Sequence, residues 1–286
     1  MTHTFDRRLT PARADMAAEH LRGVVEAARF VAGRPMRIGE EMAALRAEPR
    51  RDHPVDTQAL YGETMIVYAA DEEGWAWGQL RNDSYVGYVP SEALREDARR
   101  PTHRVRVPRT FVYPAPDVKT PPVMSLPLGA ELCIAGARDE FAEIQGLGFV
   151  WAGHLAAHDV FEADFVAVAE RFLHVAYLWG GKTFAGLDCS GLIQIALAAC
   201  GVGAPRDTDL MAQAVGEEIS IGDDLAGLRR GDLVFWKGHI GVMRDARTLL
   251  HANGHHMMVV SEPLRQARDR IREKSFGAIT TVRRLA

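Results

Sequence analysis

Downstream of Gly62 the chain alternates in short bursts. "ETMIVYAA", "GWAWGQL" and "YVGYVP" are rich in aromatic and β-branched residues and are divided by turn residues. Such runs predict strands. A second set follows, "AELCIAGA", "FAEIQGL" and "GFVWAGHL", and it repeats the first. "GYVPSEAL" (87–94) aligns without gaps on "GFVWAGHL" (148–155), and Gly62 opens "GETMIVY" as Gly129 opens "GAELCIA". A repeat of roughly 60 residues made of short strands predicts two small β-barrel modules in tandem. Prolines at 101, 108, 114, 116, 121 and 122 forbid regular helix between them. Residues 1–55 are Arg- and Ala-rich, with helical spacing around 16–31, which predicts a partly helical segment packed on the first module.

After Asp159 the period changes. Phe161, Phe165, Val168 and Phe172 fall at helical spacing, and "SGLIQIALAACG" carries a stripe of Leu192, Ile195, Ala196 and Ala199 closed by Gly201. From Gly231 the strand pattern returns in "DLVFW", "HIGVM", "TLLHA" and "MMVVSEPL". Helices followed by antiparallel strands predict an α+β unit. The expected divisions are 1–55, 56–98, 99–158 and 159–286.

Apolar residues make up 47 % of the 286 and charged residues 25 %, enough for a full core. A net charge of −4 argues against a nucleic-acid coat or an anionic membrane as partner. No signal-like or membrane-spanning apolar run is visible, and three cysteines (Cys133, Cys189, Cys200) form no disulfide framework. Together these point to a reducing cytoplasm.

The chemistry centres on "AYLWGGKTFAGLDCSGL" (176–192). Cys189 falls at the start of a helix, where unpaired N–H groups and the dipole favour thiolate. Asp188 is suited to cap that helix, with its backbone beside the reacting atom as part of the substrate site, and Gly180, Gly181 and Gly186 would let a substrate backbone approach. Cys200 shares the apolar stripe and Cys133 lies in a strand, so both read as packing. A thiol nucleophile needs a base. "KGHIGVM" supplies His239 at the head of a strand, and "LLHANGHH" supplies His251 twelve positions later, on the next. A tight turn between antiparallel strands lets the two imidazoles meet, His239 as base and His251 as the group fixing its tautomer. His251, His255 and His256 lack the HExxH or CxxC company of a metal site, and "GGKT" has Ala176 where a phosphate loop needs glycine. No metal and no cofactor is expected.

"YLWGGKTFAGLDCSGL", "GDLVFWKGHIGVM" and "LLHANGHH", in that order, resemble the NlpC/P60 superfamily of papain-like cell-wall peptidases. The resemblance implies Cys189 as nucleophile, His239 as base, His251 as the third polar member, and Tyr177 near the oxyanion. The two upstream modules look like bacterial SH3-like domains. The whole chain is similar to the murein-recycling branch that cleaves the γ-D-glutamyl–diamino acid bond of peptides with a free N-terminal L-alanine. That likeness implies that Glu63, Tyr85 and Asp207 hold the amine, with Thr208 as a polar contact. Ser190 would contact the D-glutamate carboxylate. A murein-fragment-binding protein with an inactive domain, or a related amidase, stays open on the sequence.

Overall fold

A computed structural model describes residues 5–222 and 224–285. The chain divides into two compact units, Met1–Val160 and Phe161–Ala286. Among the described residues no helix is long and apolar enough to cross a membrane.

The first unit holds two β-modules with one pattern of pairing. In the first, Arg34–Ile38 pairs antiparallel with both Thr64–Ala70 and Leu94–Arg95. Thr64–Ala70 pairs with Trp75–Leu80, which pairs with Val86–Pro90, while Met42–Leu45 pairs with Thr57–Leu60. In the second, His103–Val105 pairs with Glu131–Leu132 and Leu155–Ala157. Ile134–Arg138, Phe141–Ile144 and Gly148–Trp151 pair in succession, and Arg109–Tyr113 pairs with Met124–Pro127. A 3₁₀ turn precedes the last strand of each, Ser91–Ala93 and Ala152–His154. Even the turn glycines match. Gly62 (φ +82°) donates its N–H to Ile38 and Gly129 (φ +86°) to Val105, each at 2.9 Å. Left-handed backbone at both places explains why glycine recurs there.

The modules are joined by shared contacts. The Tyr61 ring, from the first, is buried in the apolar core of the second with Val105, Leu126 and Val150, and Arg95 stacks on it at 4.5 Å. Arg37 ties the Gly62 carbonyl to the Glu131 carboxylate.

Two expectations change. The first module begins at Arg34, not near 56, because its opening strand, with Arg34, Pro35 and Arg37 among its five residues, shows no apolar alternation. The stretch 16–31 forms no α-helix. Gly23 sits in its middle at φ +81°, so only a 3₁₀ turn, Glu19–Leu21, and a two-residue pairing of Ala17–Ala18 with Phe30–Val31 form. The segment does pack on the first module: Met16 is buried against Trp77 and Val86, and Arg13 lies over the Trp77 ring.

The second unit is built around a six-stranded antiparallel sheet. Its order is Glu217–Glu218, Thr281–Arg284, Leu233–Trp236, His239–Met243, Thr248–Asn253, Met258–Pro263. Four helices accompany it: α1 (Phe165–Glu170), α2 (Cys189–Ala199), α3 (Thr208–Ala214) and α4 (Leu264–Lys274). Helix α1 is shorter than the apolar spacing from Phe161 predicts, because Asp164 caps it through Val166 and Ala167 and leaves Phe161 outside. Every residue of α2 from Cys189 to Leu197 is buried, which marks it as the central helix of the unit. Leu264, Ala267 and Ile271 pack α4 against Trp236, Met243 and Leu249.

Candidate active site

Cys189 is the first residue of α2 and Asp188 is its cap. The Asp188 carboxylate accepts from the Gly191 N–H at 2.7 Å and, with its other oxygen, from the Gly180 N–H at 2.9 Å. One side chain thus anchors both the helix start and the glycine loop before it. Those glycines serve close packing more than substrate approach. A Cβ on Gly191 would stand 2.1 Å from the Gly181 carbonyl oxygen, and one on Gly181 would stand 2.4 Å from that of Gly186.

Beneath the cap lies Arg206, 1 % exposed. Its guanidinium donates to Asp188 Oδ2 at 2.6 Å, to Ser190 Oγ at 2.7 Å and to the Gly181 carbonyl at 3.4 Å. Burial works against the Arg206 charge, but Asp188, with Asp207 behind it, outweighs burial and holds the guanidinium above its ordinary range. Arg206 does not stand out in "PRDTDL", where an arginine between proline and acids reads as a surface charge. Ser190 is buried within this network, bonded to Asp188 and Arg206.

The sulfur of Cys189 meets the Thr208 hydroxyl at 3.8 Å and takes a hydrogen bond from the backbone N–H of Ile240, the residue after His239. The thiol at the start of α2 therefore lies against the strand end that carries His239. Asp207 occupies the cap position of α3, but its side chain makes no cap hydrogen bond. The Tyr177 phenol is half-buried, and burial first, then its nearness to Cys189 and Asp188, raises its pKa. Its backbone N–H donates to the Met257 carbonyl at 2.9 Å and so is not free for an oxyanion.

His239 Nε2 and His251 Nδ1 are 2.8 Å apart, both rings buried. The His239 ring is stacked on Phe276 (5.3 Å, 6°) and flanked by Trp236 at 5.6 Å. His251 Nε2 lies 2.8 Å from Glu262 Oε1, and Arg270 grips both Glu262 oxygens at 2.5 and 2.6 Å. Phe276, Glu262 and Arg270 carry no sequence signal beyond their types.

Two further predicted residues lie in the first unit. Glu63 is buried and accepts from the Leu60 N–H at 2.9 Å and from Asn82 at 3.2 Å, so it is no solvated edge charge. Tyr85 is 4 % exposed and packs in the core of the first module with Leu45, Met65 and Val89.

Protonation departs from the sequence expectation. Burial, then the neighbouring Asp188 charge, pushes the Cys189 thiol up to about 11, outweighing Thr208, the Ile240 amide and Arg206, which favour thiolate. Burial, then the charges of His251 and Arg270, lowers His239 to about 3, with Glu262 opposing. His251 is also lowered, by burial first, although Glu262 raises it; Arg270 and His256 add to the lowering. The site rests as neutral thiol and neutral imidazole. Alkylation of Cys189 by iodoacetamide, followed by peptide mass spectrometry, should therefore be slow at neutral pH and still rise above pH 9. A rate that levels off below pH 8 would contradict this picture.

A cysteine opening a buried helix, an imidazole on the adjoining antiparallel strand and a second imidazole orienting the first define a papain-like thiol hydrolase. Residues 174–274 match the model of the NlpC/P60 family, and 45–94 match that of the bacterial dipeptidyl-peptidase Sh3 domain. The chain carries an NlpC/P60 domain, preceded by a bacterial SH3 domain, and is a cysteine-type peptidase. It is 25 % identical over 235 residues to dipeptidyl-peptidase 6 of Lysinibacillus sphaericus, covering 74 % of this chain and 85 % of that one. It is 26 % identical over 231 residues to the γ-D-glutamyl-L-lysine dipeptidyl-peptidase of Bacillus subtilis (strain 168), covering 70 % and 73 %. The crystal structure of an NlpC/P60 family protein from Bacillus cereus ATCC 10987 superposes with a TM-score of 0.73 at 17 % identity, over 88 % of this chain and 99 % of that one. That likeness extends the shared fold across both units.

Proposed function

We propose that the protein hydrolyses the γ-D-glutamyl–diamino acid bond of murein stem peptides bearing a free N-terminal L-alanine, in cell-wall peptide recycling. The observation that carries this reading is a Cys189 sulfur held by Thr208 and by the backbone of Ile240, the residue after His239, which pairs with His251, in a chain similar along most of its length to two dipeptidyl-peptidases. Three free cysteines fit a reducing compartment and a cytoplasmic site of action.

In the first step the Cys189 proton passes to His239 Nδ1 as sulfur attacks the γ-amide carbonyl carbon. Because both groups rest neutral, transfer and attack are coupled. The Cys189 N–H, at the helix start where no intrahelical carbonyl is available to it, supports the oxyanion. The intermediate collapses as His239 returns the proton to the departing amine, leaving a thioester of D-glutamate. Water, deprotonated by His239, releases the dipeptide and restores the thiol. Asp207, beside Thr208, is assigned to the substrate ammonium.

Free and N-acetylated L-Ala-γ-D-Glu-meso-diaminopimelate separate the elements of the proposal. The free peptide should release L-Ala-D-Glu, and the acetylated one should react roughly 100-fold more slowly, because acetylation strands a carboxylate without its cation. Equal rates discard amine recognition. No turnover of either by folded protein discards the activity.

A further inference from the structure

We propose that Glu262 is a positioning residue: by accepting from His251 Nε2–H it sets the tautomers of both histidines and leaves His239 Nδ1 unprotonated toward the thiol. The proposal rests on the peptidase reading above for its kinetic consequence, but not for its structural one.

Glu262 lies opposite Leu249 on the neighbouring strand, and His251 lies opposite Val260. The two side chains are therefore diagonal neighbours on one face of the sheet. His251 Nε2 has two partners that demand opposite things. Glu262 Oε1, at 2.8 Å, belongs to a carboxylate clamped by Arg270, and an ionised carboxylate can only accept. Asn253 Nδ2, at 3.0 Å, can only donate, because its oxygen is turned to the His256 N–H at 2.9 Å. If Asn253 prevailed, His251 would carry its proton on Nδ1 and present it to His239 Nε2. A neutral His239 would then hold its own proton on Nδ1, the one ring nitrogen not engaged by His251, with no lone pair left to take the thiol proton. If Glu262 prevails, each proton shifts: Nε2–H of His251 to Glu262, Nε2–H of His239 to His251 Nδ1. Only the second arrangement leaves a base. A lone pair facing a carboxylate oxygen at 2.8 Å is strongly repulsive, whereas the Asn253 amide merely goes unused, so Glu262 decides.

Arg270 completes the device. It keeps Glu262 ionised, and its charge adds to the burial that keeps His251 neutral, so Glu262 directs protons without making His251 a permanent imidazolium. That separates it from a bare carboxylate behind a catalytic histidine.

The test reads tautomers directly, in protein with ¹⁵N-labelled histidine, by long-range ¹H–¹⁵N spectra near pH 7.5. In the wild type His251 should be protonated at Nε2 and His239 at Nε2. A His251 proton on Nδ1 overturns the proposal, with no variant required. Glu262→Gln keeps an acceptor for His251 and should retain kcat within a few-fold. Glu262→Ala should move the His251 proton to Nδ1 and lower kcat by roughly 100-fold or more with little change in KM. Alanine and glutamine variants equally impaired, with the wild-type tautomers intact, would assign Glu262 to structure alone and overturn its directing role. If the wild type cleaves no muropeptide, the peptidase reading fails while the spectra still decide this one.

Discussion

Cys189→Ala should reduce hydrolysis of L-Ala-γ-D-Glu-meso-diaminopimelate to background, a loss of roughly 10⁴-fold or more, with the fold unchanged. The thiol opens α2, and the proposed covalent route runs through it. The neighbouring elements do not depend on it. Asp188 still caps Gly191, Arg206 still binds Asp188, and Thr208 loses only a contact at 3.8 Å. The loss should appear wholly in kcat, with substrate affinity measured by calorimetry close to wild type. Cleavage at the wild-type rate by the alanine variant would remove the nucleophile from the mechanism. A collapse of the thermal transition would instead show that the sulfur is structural.

The largest effect on stability should come from Arg206→Met. This side chain is buried and makes three donations, one of them to the helix cap. Removing it leaves the Asp188 carboxylate in a dry site with no counter-charge, and breaking one half of such a pair costs about 3–5 kcal/mol. Methionine fills the volume, so the loss is electrostatic rather than a cavity. Arg206→Lys should recover only part of it, because an ammonium cannot hold Asp188, Ser190 and the Gly181 carbonyl together. Urea unfolding followed by tryptophan fluorescence measures both variants. A shift under about 1 kcal/mol for Arg206→Met would mean that Asp188 is adequately held by the Gly180 and Gly191 amides alone.

The sequence exposes the parts of the site whose residue type is the chemistry. Cysteine after aspartate at a helix start, and histidines twelve apart across a strand turn, carry their roles in their spacing. It hides the parts that work by burial. Arg206 and Glu262 are charged residues in polar-looking strings, and nothing in a linear pattern shows a charge turned inward until its partner is placed. The thiol illustrates a deeper limit. The helix start that favours ionisation is visible in the sequence, but the desolvation that outweighs it exists only once α2 is enclosed on all sides. In the first unit the repeat was legible because glycine is required at both left-handed turns, Gly62 and Gly129. The strand Arg34–Ile38 is not, since two arginines and a proline among its five residues hide the alternation that betrays a strand.

Tyr61 belongs to one module by its place in the chain and to the next by where its ring is buried. The duplicated halves of the N-terminal unit are thus not beads on a string. Severing the chain near residue 98 would strip an aromatic ring of its shelter on one fragment and open a hole in the other. Gly62, whose missing side chain lets the Glu131 backbone approach, is the seam that welds them, and the natural place to divide this polypeptide is after Val160.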